Sequence, residues 1–227
     1  MVATGVCAAP IKGTHLRIVK LDACGIPVTG ASSLVVVTKG FVQVQMDPDY
    51  EAGTEFFERN ADGDACVNQK DRPILKRMKL TIDLCEVSPD ALNFVLDARL
   101  ITNSGATTGI GFALNSGTAQ TNFSLEVWQR VAGSGACDPS GLQNFIYNAW
   151  PFVSNTQIGK YSIENKRSTI QFMAETQGAA TQWGRGPGTG TKWLPATFAV
   201  ATDEHWLWNI TTTALPTNFD CGPQLLT

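Results

Sequence analysis

The chain has 227 residues, a net charge of −3 and a charged fraction of only 16%, beside 43% hydrophobic residues. This length fits one β domain with long loops, so we expect residues 1–227 to form a single domain. The acidic balance excludes a dedicated nucleic-acid-binding protein, which carries a basic patch or stripe, and no apolar run approaches the roughly 18 residues of a membrane span.

In the first part of the chain, alternation of apolar and polar residues predicts strands at 14–22, 34–38 and 41–46. The segment 47–53 contains Pro48 and Gly53, which interrupt strands, and an apolar stretch resumes within 54–58. We therefore expect a long hairpin around 41–58 with its tip at 47–53.

Two of the predicted strands have clearly assigned faces. Strand 41–46 places Val42 on one face with Val44 and Met46, and Phe41 on the other. The segment 76–87 has a longer apolar face, which consists of Met78, Leu80, Ile82 and Leu84. This period of two indicates strands that are buried on one side only.

One α-helix is expected, at about 88–101. Ser88 is a favourable N-cap, and Pro89 suits the first helical position. The residues that recur at helical spacing are Leu92, Val95, Leu96 and Leu100. The polar run 103–105 ends the pattern.

The second part of the chain again alternates. Further strands are predicted at 123–131, 143–150, 168–175, 196–202 and 205–212, and loops at 103–122, 132–141 and 177–192. In 123–131, Phe123 and Leu125 share an apolar face, and Glu126 and Trp128 lie on the other. The predicted fold class is mostly β, a β-sandwich with one flanking α-helix.

No motif has the spacing of a catalytic or nucleotide-binding site. The glycine-rich run 184–190 lacks the spacing of a phosphate-binding loop, which favours an ordinary mobile loop. In the segment 60–64 the acids suggest a calcium loop, but Ala65 takes the glycine position, which favours a tight turn. His15 and His205 accompany no nucleophile motif. We expect no enzyme activity, no catalytic residue, no cofactor and no metal site.

Cysteine and tryptophan each allow two interpretations. The six cysteines, at 7, 24, 66, 85, 137 and 221, form no CxxC pair, and without a recognisable export signal we expect mostly reduced, small buried thiols. The six tryptophans favour a β core or a subunit interface. Exposed tryptophans would instead indicate a carbohydrate-binding module, and Trp206 and Trp208 share one face of a predicted strand.

The segment 53–97 carries a resemblance to a known family. It contains RNADGDAC at 59–66, a turn with a following cysteine. LKRMKLTIDLCEVSP follows at 75–89, a strand that leads to a second cysteine and a proline-capped helix. This order resembles the major tail (tail-tube) proteins of long-tailed bacteriophages that infect actinobacteria.

The resemblance implies a structural virion protein. Its subunits would form hexameric rings in which strands from six copies join into a closed β-barrel, and the rings would stack into a tail tube. Phage DNA would pass through the lumen without sequence-specific binding. The implied protein partners are a tape-measure protein and tail terminator and tip proteins. The implied location is the virion tail, after assembly in the host bacterial cytoplasm, with no membrane partner.

The hairpin around 41–58 is the expected contact with a neighbouring subunit or ring, because adjacent aromatic residues lie beside a polar tip. The candidate oligomerisation residues are Phe41, Asp47, Asp49, Tyr50, Phe56 and Phe57. A satellite core under the hairpin is the alternative. The segments 1–12 and 218–227 could become ordered only in the assembly. Two other functions stay open: a carbohydrate-binding β-sandwich, and a head-decoration or tail-terminator subunit.

Overall fold

The computed structural model describes residues 7–86, 88–106, 108–115, 121–163, 165, 168–188, 190–217 and 223–226. These residues form twelve β-strands and one α-helix, which confirms a mostly β fold with one helix. The strands are β1 (Ala9–Leu21), β2 (Val35–Thr38), β3 (Phe41–Glu51), β4 (Glu55–Arg59), β5 (Ala65–Lys70), β6 (Ile74–Leu84), β7 (Arg99–Thr102), β8 (Gly109–Ala113), β9 (Asn122–Ala132), β10 (Phe145–Ile163), β11 (Ser168–Thr176) and β12 (Leu207–Thr211), and the helix is α1 (Pro89–Leu96).

The main sheet is antiparallel, and its strands follow the order β2-β1-β9-β10-β11-β6-β3, with β12 beside β10. The 19-residue strand β10 belongs to both halves of this sheet. Its first part pairs with β9 and β12, and its second part pairs with β11. The short connection 39–40 joins β2 to β3, the strands at the two ends of the order. Within one chain, the described strands do not close into a barrel.

The main core lies where residues from both halves of the sheet meet α1. Leu16 and Leu125 come from the first half, Leu80 and Phe172 from the second, and Leu92 from the helix. The predicted apolar face of strand 76–87 is confirmed, because all four of its residues are buried here. Burial of such side chains contributes about 1.5 to 3 kcal/mol each to the stability of the fold.

The helix is shorter than the sequence predicts. It begins as expected, with the Ser88 hydroxyl accepting a hydrogen bond from the Ala91 amide at 3.1 Å and with Pro89 in the first turn. It ends at Leu96, because the next residue, Asp97, has a left-handed φ of 51° that stops the α conformation. Residues 99–102 therefore form β7, which pairs with β8 inside the predicted loop 103–122.

A second core covers the opposite face of β9 and β10. Residues from the segments 177–188 and 190–215 pack there, and Trp183, Trp193 and Val200 are buried against Trp128 and Tyr147. This cover explains why β9 is buried on both faces rather than one. The predicted strand at 196–202 is wrong, because these residues form turns and irregular backbone in the cover.

A buried ion pair lies between the second core and the sheet. Glu126 is fully buried; its carboxylate accepts hydrogen bonds from the Arg17 guanidinium, one of them 2.8 Å long, and from the Tyr147 hydroxyl. The Arg17 Cζ atom also lies 4.5 Å from the ring centre of Trp193. Burial lowers the pKa of Arg17, but the charge and hydrogen bond of Glu126 outweigh it, so the net pKa is raised. The pair joins β1, β9 and the cover.

The predicted hairpin around 41–58 is wrong in its pairing. Residues 47–51 are not a tip but continue β3, which pairs with β6 along its whole length. In this register Asp47 lies opposite Lys79 and Asp49 opposite Arg77, so opposite charges face each other across the strands. Pro48 is tolerated because β3 is the last strand of the sheet order.

An irregularity near the start of β3 also changes its faces. The register shifts between Phe41 and Gln43, so Phe41 joins Val44 and Met46 against the main core. Val42, predicted on that face, is exposed instead.

The other predicted strands are confirmed with shifted bounds. The prediction 14–22 corresponds to β1, 34–38 to β2, 123–131 to β9, 143–150 to the start of β10, 168–175 to β11, and 205–212 to β12. The loop prediction at 132–141 is also confirmed, apart from one short 3₁₀ turn.

Candidate assembly surface

A two-stranded ribbon projects from the end of the β3–β6 pair, and we call residues 52–73 the arm. The arm contains β4 and β5, which pair with each other in a separate sheet. Every residue of these two strands is exposed. Because its strands are fully exposed, the arm gains little stability from packing against the described rest of the chain. An isolated two-stranded ribbon is marginally stable in water at best.

The two faces of the arm differ. Phe56 lies opposite Gln69 and Glu58 opposite Val67, which places Phe56 and Val67 on one face with 51% and 40% of their surfaces exposed. Phe57 is on the other face, and the Arg59 Cζ atom lies 5.3 Å from its ring centre. The cation covers part of Phe57. The face of Phe56 and Val67 is therefore the more available apolar surface.

The tip and the neck of the arm have defined backbone geometry. At the tip, the Asn60 side-chain oxygen accepts hydrogen bonds from the amides of Asp62 and Asp64, at 3.1 and 2.8 Å. This confirms the predicted tight turn at 60–64. At the neck, a Cβ on Gly53 would lie 2.0 Å from the carbonyl oxygen of Asp71, so only glycine permits this close approach.

The stem below the arm is held by charged side chains. Arg77 on β6 donates to Asp49 on β3 at 3.0 Å and to Glu175 on β11 at 2.9 Å, and Lys79 lies 3.8 Å from Asp49. The hydrogen bond from Arg77, followed by the charge of Lys79, lowers the pKa of Asp49 despite partial desolvation. These exposed pairs fix the register of the stem more than they stabilise the fold.

A second surface is the outward face of β3, β6 and β11. It is polar and exposed or half-buried, and the Gln171 amide donates to Asp83 at 2.9 Å. The Gln43 amide donates to Gln45 at 3.1 Å. The other outward residues include Thr81 and Met173.

The six predicted oligomerisation residues do not form one group. Phe56 and Phe57 are in the arm, and Asp47, Asp49 and Tyr50 are in the stem, where Tyr50 is exposed. Phe41 is separate, since its ring packs over Gly13 of β1. Sequence reasoning missed two exposed apolar residues, Val67 and Ile74. The only available signal for Val67 was the short alternating segment around it, which forms β5.

The cysteine and tryptophan predictions have mixed outcomes. The five cysteines among the described residues carry no disulfide and are all exposed, so the expectation of buried thiols is wrong for them. Cys221 lies outside the described residues. Four tryptophans are buried. The other two are exposed: Trp206, just before β12, has 36% of its surface accessible, and Trp208, on β12, has 48%.

Within the described ranges, no group of three or more His, Cys, Asp or Glu side chains is arranged to hold a metal ion. In the same part of the chain, no helix is long and apolar enough to cross a membrane. Comparison with known proteins gives no match: no protein-family model and no curated protein matches this chain.

Proposed function

We propose that this chain is a structural, non-enzymatic subunit of a phage tail tube. Its subunits have a β-sandwich architecture and assemble into hexameric rings, in which strands from six copies join into a closed β-barrel. The rings stack into a tube through which phage DNA passes. The observation that carries this proposal is the arm, a fully exposed ribbon with apolar side chains on both faces and no core beneath it among the described residues.

Self-assembly gives the arm the partner that its own chain does not supply. Complete burial of a phenylalanine or valine side chain contributes about 1.5 to 3 kcal/mol, so covering the half-exposed Phe56 and Val67 contributes about half of that for each residue. A contact between the arm of one copy and a different surface of the next is heterologous, and such contacts form rings or extend without limit.

Two further features support a tube. Among the described strands, β3 is a long strand at the end of the sheet order, with no strand paired to its outer side, and edge pairing between copies would cover this edge. The outward face of β3, β6 and β11 is polar and contains Asp83, and its two basic residues, Arg77 and Lys79, are paired with carboxylates of the same face. Such a face suits a DNA conduit, because a basic lining would hold the phosphates.

The remaining elements of the proposal come from the family resemblance at 53–97. The protein partners are a tape-measure protein and tail terminator and tip proteins. The chain assembles in the host bacterial cytoplasm and is located in the virion tail. Phe56, Phe57, Tyr50, Asp47 and Asp49 lie in the arm or its stem and are the proposed contact residues, whereas Phe41 acts through the fold.

Sedimentation velocity over a concentration series tests the role of the arm. Phe56→Asp should abolish large assemblies, because it removes the aromatic side chain that the neighbouring copy covers. Gln69→Asp is the matched control, since it adds the same charge on the same face, directly opposite Phe56, without removing an apolar group. Both variants should keep the free energy of unfolding of the wild type to within the roughly 0.5 kcal/mol of surface substitutions.

The proposal predicts that Phe56→Asp sediments as a small species while Gln69→Asp still forms larger assemblies. A Phe56→Asp protein that assembles like the wild type would show that the arm makes no essential contact.

Trp206 and Trp208 favour a second candidate function, a carbohydrate-binding module. Both are exposed and lie on one face at an edge of the sheet, an arrangement that can stack sugar rings. Titration with soluble oligosaccharides should then change the tryptophan fluorescence of a monomer, and Trp208→Ala should remove the change. A head-decoration or terminator role would instead give a single closed oligomer that does not extend.

A further inference from the structure

The outer edge of β2 is covered by the C-terminal part of the same chain. Residues 223–226, which we call the strap, lie along this edge. The Val35 amide donates to the Gln224 carbonyl at 2.8 Å, and the Gln224 amide donates to the Val35 carbonyl at 2.7 Å. The strap therefore adds one antiparallel bridge to β2, which is at the opposite end of the sheet order from β3.

Side chains strengthen this contact. The Leu226 amide donates to the buried Ser33 hydroxyl at 2.9 Å. The Leu226 side chain packs against a small cluster of three buried valines, which are Val19, Val35 and Val37. Without the strap, part of this aliphatic cluster would face water beside an open strand edge. Residues 224–226 therefore have defined contacts within a single chain, and so do residues 9–12, which belong to β1.

We propose that the strap closes the β2 edge against a second copy of this chain, and that its displacement lets the β2 edges of two copies pair. The hydrogen-bond pattern supports this choice of partner. Val36 faces β1, where it lies opposite Ile18, and Val35 faces outward to the strap. In an antiparallel ladder these directions alternate, so Val37 presents its N–H and C=O to the same outer edge as Val35.

Two β2 edges match each other better than the strap matches β2. Antiparallel pairing about a twofold axis at Val36 joins Val35 to Val37 of the second copy, and Val37 to Val35 of the second copy. This gives four backbone hydrogen bonds, against the two made by Gln224. The sequence Val-Val-Val-Thr is also rich in β-branched residues, which suit paired strands. The intact strap competes well because it is tethered, at an effective concentration on the order of mM.

This device is independent of the arm and goes beyond the proposed tube. A symmetric β2 pair is closed and does not extend, so the strap would keep free subunits out of a dead-end dimer before assembly. Covering an edge strand with a segment of the same chain is a known protection against edge-to-edge association.

The test removes residues 223–227 and follows association by sedimentation equilibrium in the Phe56→Asp background, where the arm contact is disabled. We expect a reversible dimer, and a monomer for the same background with an intact strap. In dilute truncated protein, the Val35 amide should exchange with solvent about tenfold faster, the change expected for the loss of one or two hydrogen bonds. Adding the peptide Pro-Gln-Leu-Leu-Thr should return the dimer to monomer and restore the protection.

Full-length variants keep the test decisive if the truncated chain does not fold. In the same Phe56→Asp background, Leu226→Asp should dimerise, whereas Leu225→Asp, at a side chain that is 56% exposed, should stay monomeric. Val37→Pro in the Leu226→Asp chain should abolish the dimer, because it removes an outward N–H and leaves the β1 pairing intact. The proposal is overturned if Leu226→Asp stays monomeric with unchanged Val35 exchange, or if its dimer survives Val37→Pro. Neither result affects the arm.

Discussion

Glu126→Gln tests the buried ion pair that joins β1, β9 and the cover. The substitution keeps the size of the side chain but removes the charge that compensates Arg17. Because Arg17 and Glu126 are both buried, solvent cannot replace the lost partner. The hydrogen bond from Tyr147 can persist, since an amide oxygen also accepts. The perturbation is therefore close to the removal of one charge.

The expected magnitude follows from this burial. Removing one partner of a buried pair costs about 3 to 5 kcal/mol, a large share of the roughly 5 to 15 kcal/mol by which such domains are stable. For a chain of this length, about 2 to 4 °C of melting temperature corresponds to 1 kcal/mol, so the melting temperature should fall by about 6 to 20 °C. Replacing the group by apolar residues, as Arg17→Met, Glu126→Leu and Tyr147→Phe together, should recover most of the loss.

Differential scanning calorimetry measures the effect, with Glu55→Gln as the control. Glu55 also faces a cation, but its carboxylate lies 3.8 Å from Lys70 and both side chains are more than half exposed. The control should change the stability by at most about 1 kcal/mol. A melting temperature of Glu126→Gln equal to that of the control would refute the claim that the pair is desolvated in solution.

Two further predictions concern pH and the neck of the arm. Burial, and secondly Lys39, lower the pKa of His15 from 6.5 to about 4, so the unfolded chain binds this proton first and the free energy of unfolding falls as pH drops from 6.5 toward 4. His15→Gln should flatten this part of the urea-midpoint profile, and a profile unchanged by the substitution would contradict the assignment. Gly53→Ala should speed exchange of the Asp71 amide, which bonds Thr54 at 2.9 Å, whereas Gly111→Ala, with its nearest contact at 3.5 Å, should not. Equal exchange in both variants would show that the neck is not tightly packed.

Strands with one buried face were predictable from the sequence. In β6 and β11 the apolar residues alternate with polar ones because only one side meets the main core, as for Ile82 and Phe172. In β9 the same alternation predicted one buried face, but both faces are buried. Glu126 and Trp128 belong to a face that is covered by residues of the segments 177–188 and 190–215, and that cover has no periodicity of its own.

The errors arise where a distant partner decides the local structure. Proline and glycine break strands in general, yet β3 continues through Pro48. Acidic residues of β3 lie opposite basic residues of β6, and a strand at the end of a sheet does not need the backbone N–H that proline lacks. Leu100 continues the helical spacing, but the left-handed Asp97 diverts the chain into β7. The Arg17–Glu126 pair joins residues 109 positions apart, which no local pattern reveals.

The candidate assembly surface was only partly predictable. Adjacent aromatics beside a polar turn indicated that Phe56 and Phe57 lack a core role, and both are exposed. Their partner strand was misassigned, so Val67 was missed, and Phe41, which the predicted hairpin placed near them, packs against the main core instead. Pairing of β4 with β5 depends on the turn at 60–64, whose signal was present and was interpreted as a turn between strands.

Electron microscopy of the purified chain at high concentration tests the central claim of self-assembly most directly. The account predicts rings or tubes of one uniform diameter for the wild type and for Gln69→Asp, and none for Phe56→Asp. Wild-type protein that remains monomeric, or that forms only irregular aggregates, would contradict the tail-tube proposal.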